Sequence, residues 1–327
     1  MTHDGLLFSI IIPACNEEKL IGQCLESIAQ QTPPAPAFEV LVVDNGSTDS
    51  TVKVAAEYSS HFPVEILIRP GIRISELRNH GAAQSSGAYM AFLDADCTVP
   101  SDWLAAASIE FAANPDRVLG GHCRVPPEMG WLSVWYDRTS LNRRLVVPYI
   151  PGAGLLIERS RFFRIGGFDP SIQTAEDCEF CARAHRVGIP SVAIASLAVT
   201  HHGWPQTLRV FYRKNRWHGS DVARVFLRDL DLKSLKALSL AFYTDITMLL
   251  SFCMIIAKFP NIAGVLVVLW LLVCAAVACR LSLRRRGLHT ALLLWPLVCL
   301  YGIARGSCLV DPRMWKPDRS LRSVART

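Results

Sequence analysis

The sequence predicts an α/β domain on a mostly parallel, doubly wound sheet, followed by a helical membrane region. Two observations carry this reading. Between residues 8 and 93, short β-branched runs alternate with stretches whose apolar residues recur at helical spacing, the strand–helix–strand order of a doubly wound sheet. Hydrophobic residues make up 51% of the 327-residue chain, and the excess lies between about Leu235 and Val310, where Leu, Val, Ala and Ile dominate.

Each element has a local reason. Phe8 to Ile12 is a β-branched run that Pro13 is expected to end, before the polar turn Ala14 to Glu18. Leu20, Ile21, Cys24, Leu25 and Ile28 share one face of a helix. Gln31 to Pro36 is a proline-rich break, and Glu39 to Val43 is an apolar run suited to the middle of a parallel sheet. Ser47 or Asp49 is expected to cap a helix over Ser50 to Tyr58. Val64 to Ile68 is a third strand, Ile74 to Ser85 a helix, and Ala88 to Leu93 a fourth strand. In such sheets ligands sit beyond the carboxyl ends of the strands, so Asp44, Asp94 and Asp96 are expected to line one crevice.

Several classes are excluded or disfavoured. No GxGxxG follows the first strand, and no Walker loop exists, which argues against dinucleotide and P-loop chemistry. The net charge of +6 is placed beside the apolar spans: Arg209, Arg213, Lys214 and Arg216 before them, Arg284 to Arg286 within, and Arg313 to Arg326 after. That placement suits anionic lipid headgroups rather than nucleic acid. Leu6 to Ile12 is too short for a signal-peptide core and follows Asp4, so the first domain is expected in the cytosol with its cysteines reduced. Cys178 and Cys181 have metal-site spacing without a second pair, and read as two buried cysteines on a helix.

At Phe92-Leu93-Asp94-Ala95-Asp96 a buried strand ends in two carboxylates with nothing nearby in sequence to neutralise them. At about 4 Å they would repel by roughly 4 kcal/mol at an effective dielectric near 20, so they call for a cation. Hard oxygen ligands suit Mg2+ or Mn2+, ions that also hold substrate phosphates. A solvated loop that happens to carry two aspartates is the plainer alternative.

Other segments share the pattern. Ser9 to Glu17 (SIIIPACNE), Val42 to Asp49 (VVDNGSTD), Arg78 to Ala82 (RNHGA), Phe92 to Asp96 (FLDAD), Gly166 to Asp169 (GGFD) and Glu176-Asp177 come in order and with fitting spacing. Together, over roughly residues 8–205, they resemble the family 2 inverting glycosyltransferases. The resemblance implies a GT-A fold, a nucleotide-diphosphate sugar donor, a saccharide or lipid-linked acceptor, and one divalent metal, Mg2+ or Mn2+. It implies donor contacts from Pro13, Asn16 and Glu17, with Asp44 at the base or ribose and Arg78 near the base or diphosphate. Asp94 would lie near the ribose and share the metal with Asp96, and His201, better spaced than His202, would be a further ligand. Asp177 would be the general base with Glu176 beside it, and Gly152 and Gly154 would lie on the acceptor side. Plainer roles suit some of these: a surface arginine for Arg78, a helix cap for Asp177, a tight turn for the glycines. Two departures stand out. Cys15 occupies a position where many relatives carry an aromatic residue, and Arg213-Lys-Asn-Arg216-Trp217 lacks the glutamine of processive synthases.

The predicted organisation is a catalytic domain over 1–215, a basic linker over 216–236, membrane helices over 237–310 and a basic tail over 311–327. Leu238 to Ile256 and Ile262 to Cys279 form a hairpin around Lys258 to Asn261, and Asp245 is the acid inside it. Leu288 to Ala304, interrupted by Pro296, is a third segment, spanning or else re-entrant or interfacial, the latter preferred since a third full span would put the basic tail outside. Two other classes compete: a nucleotidyltransferase, which should carry a glycine-rich, arginine-containing loop after the first strand, and a catalytically silent binding module, against which the intact aspartates argue.

Overall fold

The computed structural model describes residues 7–32, 36–136, 144–172, 174–229, 232–283 and 290–309. Arg284 to Arg286 and the basic tail lie outside the described residues. The chain divides into two compact units, Met1–Pro127 with Arg138–Trp204, and Glu128–Asp137 with Pro205–Thr327. Residues 205–215, expected at the end of the catalytic domain, fall in the second unit.

The elements in chain order are β1 (Phe8–Ala14), α1 (Ile21–Ala29), β2 (Phe38–Asp44), α2 (Thr51–Glu57), β3 (Val64–Ile68), α3 (Ile74–Gln84), β4 (Tyr89–Leu93), β5 (Cys97–Thr98) and α4 (Trp103–Ala113). Next come β6 (Val118–Gly120), β7 (Cys123–Arg124), α5 (Ser133–Tyr136), β8 (Leu145–Val147), β9 (Gly154–Glu158), α6 (Arg159–Ile165), α7 (Glu176–Arg186), β10 (Ser191–Ala193) and β11 (Val199–His201). The last four are α8 (Leu208–Asp229), α9 (Leu232–Ile256), α10 (Pro260–Leu283) and α11 (Ala291–Leu309).

In the first unit an eight-stranded sheet runs β3-β2-β1-β4-β9-β6-β10-β8, and a small sheet runs β5-β11-β7. The sheet is parallel from β3 to β4 and mixed beyond, because β9 runs antiparallel to both β4 and β6. Strand alternation divides the core. Ile10, Ile12, Val40 and Val42 face α1 and α4 through Leu25, Ile28, Trp103 and Leu104. Ile11, Leu41 and Val43 face the other way, with Leu77, Phe162 and Phe180.

Three local expectations are corrected. Strand β1 continues through Pro13 to Ala14. The carbonyl of Ala14 accepts from Asn45, on the β2 side, so Pro13 faces β4, whose pairing with β1 stops at Ile11 and Phe92. No ladder donor is lost there. Helix α2 starts at Thr51, where Asp49 Oδ1 accepts the Thr51 N–H at 3.0 Å, while Ser47 turns its hydroxyl to Asp44. On α7, Cys181 is buried but Cys178 only half-buried, and all eleven cysteines are free.

The second unit is apolar outside and holds buried hydroxyls among its apolar interior side chains. Large side chains such as Phe242, Leu249, Phe252, Leu272 and Leu292 are exposed, while Thr244, Thr247, Ser251 and Ser282 are buried. Trp270 Nε1 donates to Thr244 Oγ1 at 3.0 Å, and the Thr247 and Ser251 hydroxyls donate to carbonyls one turn back. Such a surface is unsuited to water and suited to lipid, where polar groups must be satisfied internally. Among the described residues, three helices are long and apolar enough to cross a membrane, within Ser239–Ile256, Pro260–Leu283 and Ala291–Cys308. Asp245 faces Gly306 of α11, so it points into protein. Helix α11 is continuous over 19 residues through Pro296 and buries Leu294, Leu297 and Val298. Trp135 of α5 packs edge-on to Phe211 of α8 at 5.3 Å and lies 5.2 Å from Tyr301 of α11.

Helix α3 meets the sheet at Gly81, where a Cβ would lie 2.5 Å from Ile11 Cγ2 and 3.0 Å from Val43 Cγ2. Gly81→Val should therefore overpack this layer and cost about 1–3 kcal/mol, read as a lowered thermal midpoint of the purified chain.

Candidate active site

The parallel strands β1, β2 and β4 deliver their carboxyl ends to one edge of the first unit. Ala14 is in register with Asp44, and β4 ends at Leu93, so Asp94 to Asp96 follow directly. The turns after β1 and β2 are tied together. Asn16, in left-handed backbone at φ 57°, donates its N–H to Ser47 Oγ at 2.9 Å, and its Oδ1 accepts from the Thr48 N–H at 2.8 Å. Glu17 donates its N–H to Thr51 Oγ1 at 2.7 Å. Asp44 is buried, its Oδ2 accepting the N–H groups of Gly46 and Ser47 at 2.8 and 2.9 Å, and the Ser47 hydroxyl bonds its other oxygen. Asn45, which the sequence did not single out, holds the next loop: its Oδ1 accepts the N–H groups of Gly71 and Ile72.

Arg78 of α3 is 2% exposed. Its Nη2 lies 2.6 Å from Asp94 Oδ1, and its Nη1 pairs with Glu176 Oε1 at the start of α7. Phe168 lies under the guanidinium, 5.7 Å from ring centroid to Cζ. Gly152 closes the other side, where a Cβ would come within 2.9 Å of Cζ, Nη1 and Nη2. Burial opposes the charge on Arg78, but Asp94 and then Glu176 outweigh it and hold the group protonated. Arg78, sixteen residues before Asp94 in α3, thus neutralises one carboxylate of the Asp94 and Asp96 pair, its ion pairs being with Asp94 and Glu176.

Asp177 follows Glu176 and is half-buried. Its Oδ2 accepts the Gly152 N–H at 3.1 Å, and its Oδ1 accepts the Cys178 N–H at 2.7 Å. Burial raises its pKa above the usual aspartate range, against the lowering pull of the Gly152 N–H and Arg78. Burial likewise raises Glu176, and Arg78 opposes it. Gly154, at the start of β9, is in register with Leu93.

A third group lies on the small sheet. The register of β11 on β5 sets His201 opposite Cys97. His201 Nε2 is 3.7 Å from Asp96 Oδ2, and Trp204 stacks on the His201 ring at 4.3 Å. His202 turns to Thr98 Oγ1 at 3.0 Å, so of the two histidines His201 is the one at Asp96. Donor atoms of Asp96, Cys97 and His201 lie within 4.8 Å of one another, a carboxylate, thiol and imidazole set that fits a divalent ion. Asp94 does not belong to this cluster and is held by Arg78. Sequence reading missed Cys97 and Trp204; the signal for Cys97 was its place directly after the DxD carboxylate.

With this geometry in place, the family model for glycosyl transferase family 2 matches residues 9–182, more than half of the chain. The chain belongs to glycosyl transferase family 2. A relative, glycosyltransferase AglE of Haloferax volcanii, is 33% identical over 198 residues, which are 58% of this chain and 64% of that protein. The chain therefore spans less than two thirds of that relative's length. Among solved structures, the mannosyltransferase PcManGT from Pyrobaculum calidifontis, in complex with GDP-Man and Mn2+, is similar with a TM-score of 0.61 at 19% identity. That likeness covers 93% of this chain and 87% of PcManGT. TarS 1–349 of S. aureus in complex with UDP is similar with a TM-score of 0.54 at 18% identity, covering 92% and 91%. The shared fold is the GT-A α/β domain of family 2 proteins, followed here by three long apolar helices.

Removing the guanidinium would leave Glu176 and Asp94 facing each other without their cation. Arg78→Met should cost about 3–5 kcal/mol, the scale for breaking a buried ion pair, measured by thermal or denaturant unfolding of the purified chain.

Proposed function

We propose that the chain is a metal-dependent inverting glycosyltransferase, moving a sugar from a nucleotide-diphosphate donor to a lipid-linked acceptor at the cytoplasmic face of a membrane. The observation that carries this reading is the Asp177 carboxylate of α7, fixed by the N–H groups of Gly152 and Cys178 and raised in pKa, at the site that Arg78 ties to the strand end at Asp94. Each Asp177 oxygen keeps a lone pair after accepting one N–H, so either can take a proton. The acceptor hydroxyl oxygen bonds to the anomeric carbon as the bond from that carbon to the diphosphate breaks. The bonding pair leaves with the diphosphate, and the hydroxyl proton passes to Asp177. A divalent ion, Mg2+ or Mn2+, held by Asp96 and His201 would supply positive charge for the departing group. Pro13, Asn16, Glu17 and Asp44 form the nucleotide side, with Asp94 oriented by Arg78, and Gly152 and Gly154 line the acceptor side.

Supporting the reading are the GDP-Man and Mn2+ bound to PcManGT and the UDP bound to TarS, each stated of those proteins. The outward apolar face of α9, α10 and α11, preceded by Arg209 on α8, supports membrane lipids as partners and a multi-pass anchor with the first unit in the cytosol. A soluble glycan or protein acceptor is the second reading. Transfer from a donor to polyprenyl-phosphate in liposomes, compared with transfer to soluble oligosaccharides by the full chain, separates the two; activity confined to the soluble arm defeats the lipid assignment. Release of nucleoside diphosphate rather than pyrophosphate separates sugar transfer from nucleotidyl transfer.

Asp177→Asn should retain donor binding and lose transfer by about 100- to 10,000-fold. Near wild-type transfer would reduce Asp177 to a helix-end residue. Because Asp177 acts only when deprotonated and burial raises its pKa, kcat/KM should fall as pH drops through a value above the ordinary aspartate range. An acid limb at the unperturbed aspartate value contradicts the assignment.

A further inference from the structure

The metal cluster contains one group that hard-ion sugar chemistry does not need. Cys97 is fully buried, packs in the core beside Trp103 and Leu104, and turns its sulfur to Asp96, 3.6 Å from Oδ1. His201 approaches the other oxygen of the same carboxylate at 3.7 Å. The sulfur and the imidazole thus flank the two oxygens of one carboxylate, and donor atoms of all three residues lie within 4.8 Å of one another. Cys97 lies on β5 with His201 opposite it on β11, and Asp96 directly precedes β5, so strand pairing sets two of the three donors.

We propose that Cys97 is a direct ligand of the divalent ion and sets its selectivity, favouring Mn2+ and borderline ions such as Co2+ or Zn2+ over Mg2+. This rests on the reading that Asp96 and His201 hold a metal. Soft thiolate donors select transition ions, whereas Mg2+ demands near-octahedral oxygen ligation and retains several waters. With a sulfur and an imidazole beside it, the Asp96 carboxylate leaves the site short of the oxygen ligands that Mg2+ prefers. The residue is therefore a filter between two ions that a carboxylate pair alone would accept.

The test uses the full purified chain, stripped of metal and titrated with Co2+, then with Mn2+ and Mg2+ by calorimetry. Wild type should develop the near-ultraviolet charge-transfer absorption of a thiolate bound to cobalt. Cys97→Ser should lose that band, bind Co2+ at least about tenfold more weakly, and narrow the Mn2+ to Mg2+ affinity ratio, with an unchanged thermal midpoint in the absence of metal. Cys24→Ser, which alters a neighbouring buried thiol, should keep the band. Co2+ binding without the band in wild type, or a band that survives in Cys97→Ser, overturns the role of Cys97 while leaving the metal reading intact. No Co2+ or Mn2+ binding at all overturns both.

Discussion

A guanidinium removed from water has to be neutralised where it stands, and Arg78 meets that demand with two carboxylates from distant parts of the chain. Asp94 ends a central strand and Glu176 begins α7, so one side chain locks the strand edge to the helix that carries Asp177. The lock has walls. Phe168 backs the guanidinium, and Gly152 approaches it as only a glycine can, while donating its own N–H to Asp177. Arg78 therefore organises the surroundings of the proposed base, and its charge adds to the pull of the Gly152 N–H against burial. Breaking that cation's contacts loosens stability and chemistry together, since a paired buried charge costs little only while its partners remain.

Around this lock the remaining groups are placed by pairing rather than by loops. The turns after β1 and β2 hold each other through Asn16, Ser47 and Thr48, which fixes the proposed nucleotide side. The small sheet brings Asp96, Cys97 and His201 together with Trp204 stacked on the imidazole. Preorganisation of this kind lowers the ordering cost of binding. The second unit turns large apolar side chains outward and holds buried hydroxyls within.

Much of this was legible in the chain. Strands β1 to β4 and helices α1 to α3 were readable because their periodicity is local, and the strand-end aspartates followed from the topology. Strands β8, β10 and β11 were not, since three-residue strands carry almost no period and exist only through partners far along the chain. The same limit applied at the site. Arg78 was visible within its motif, but its partner Glu176 is 98 residues away, and nothing local announces an ion pair across that distance. Pro13 misled because a proline reads as a strand end unless one knows that the neighbouring strand has already stopped. Cys97 stayed hidden because a cysteine beside an apolar run reads as core.

A double-mutant cycle between Arg78 and Glu176 tests the central dependence most directly. Stabilities of the wild type, Arg78→Met, Glu176→Gln and the double variant would be measured on the full purified chain by denaturant unfolding. If the buried pair governs the site, the double variant is less destabilised than the two single changes summed, by about 0.5–3 kcal/mol. Additivity within about 0.3–0.5 kcal/mol would mean that the two side chains act independently, and would contradict the account.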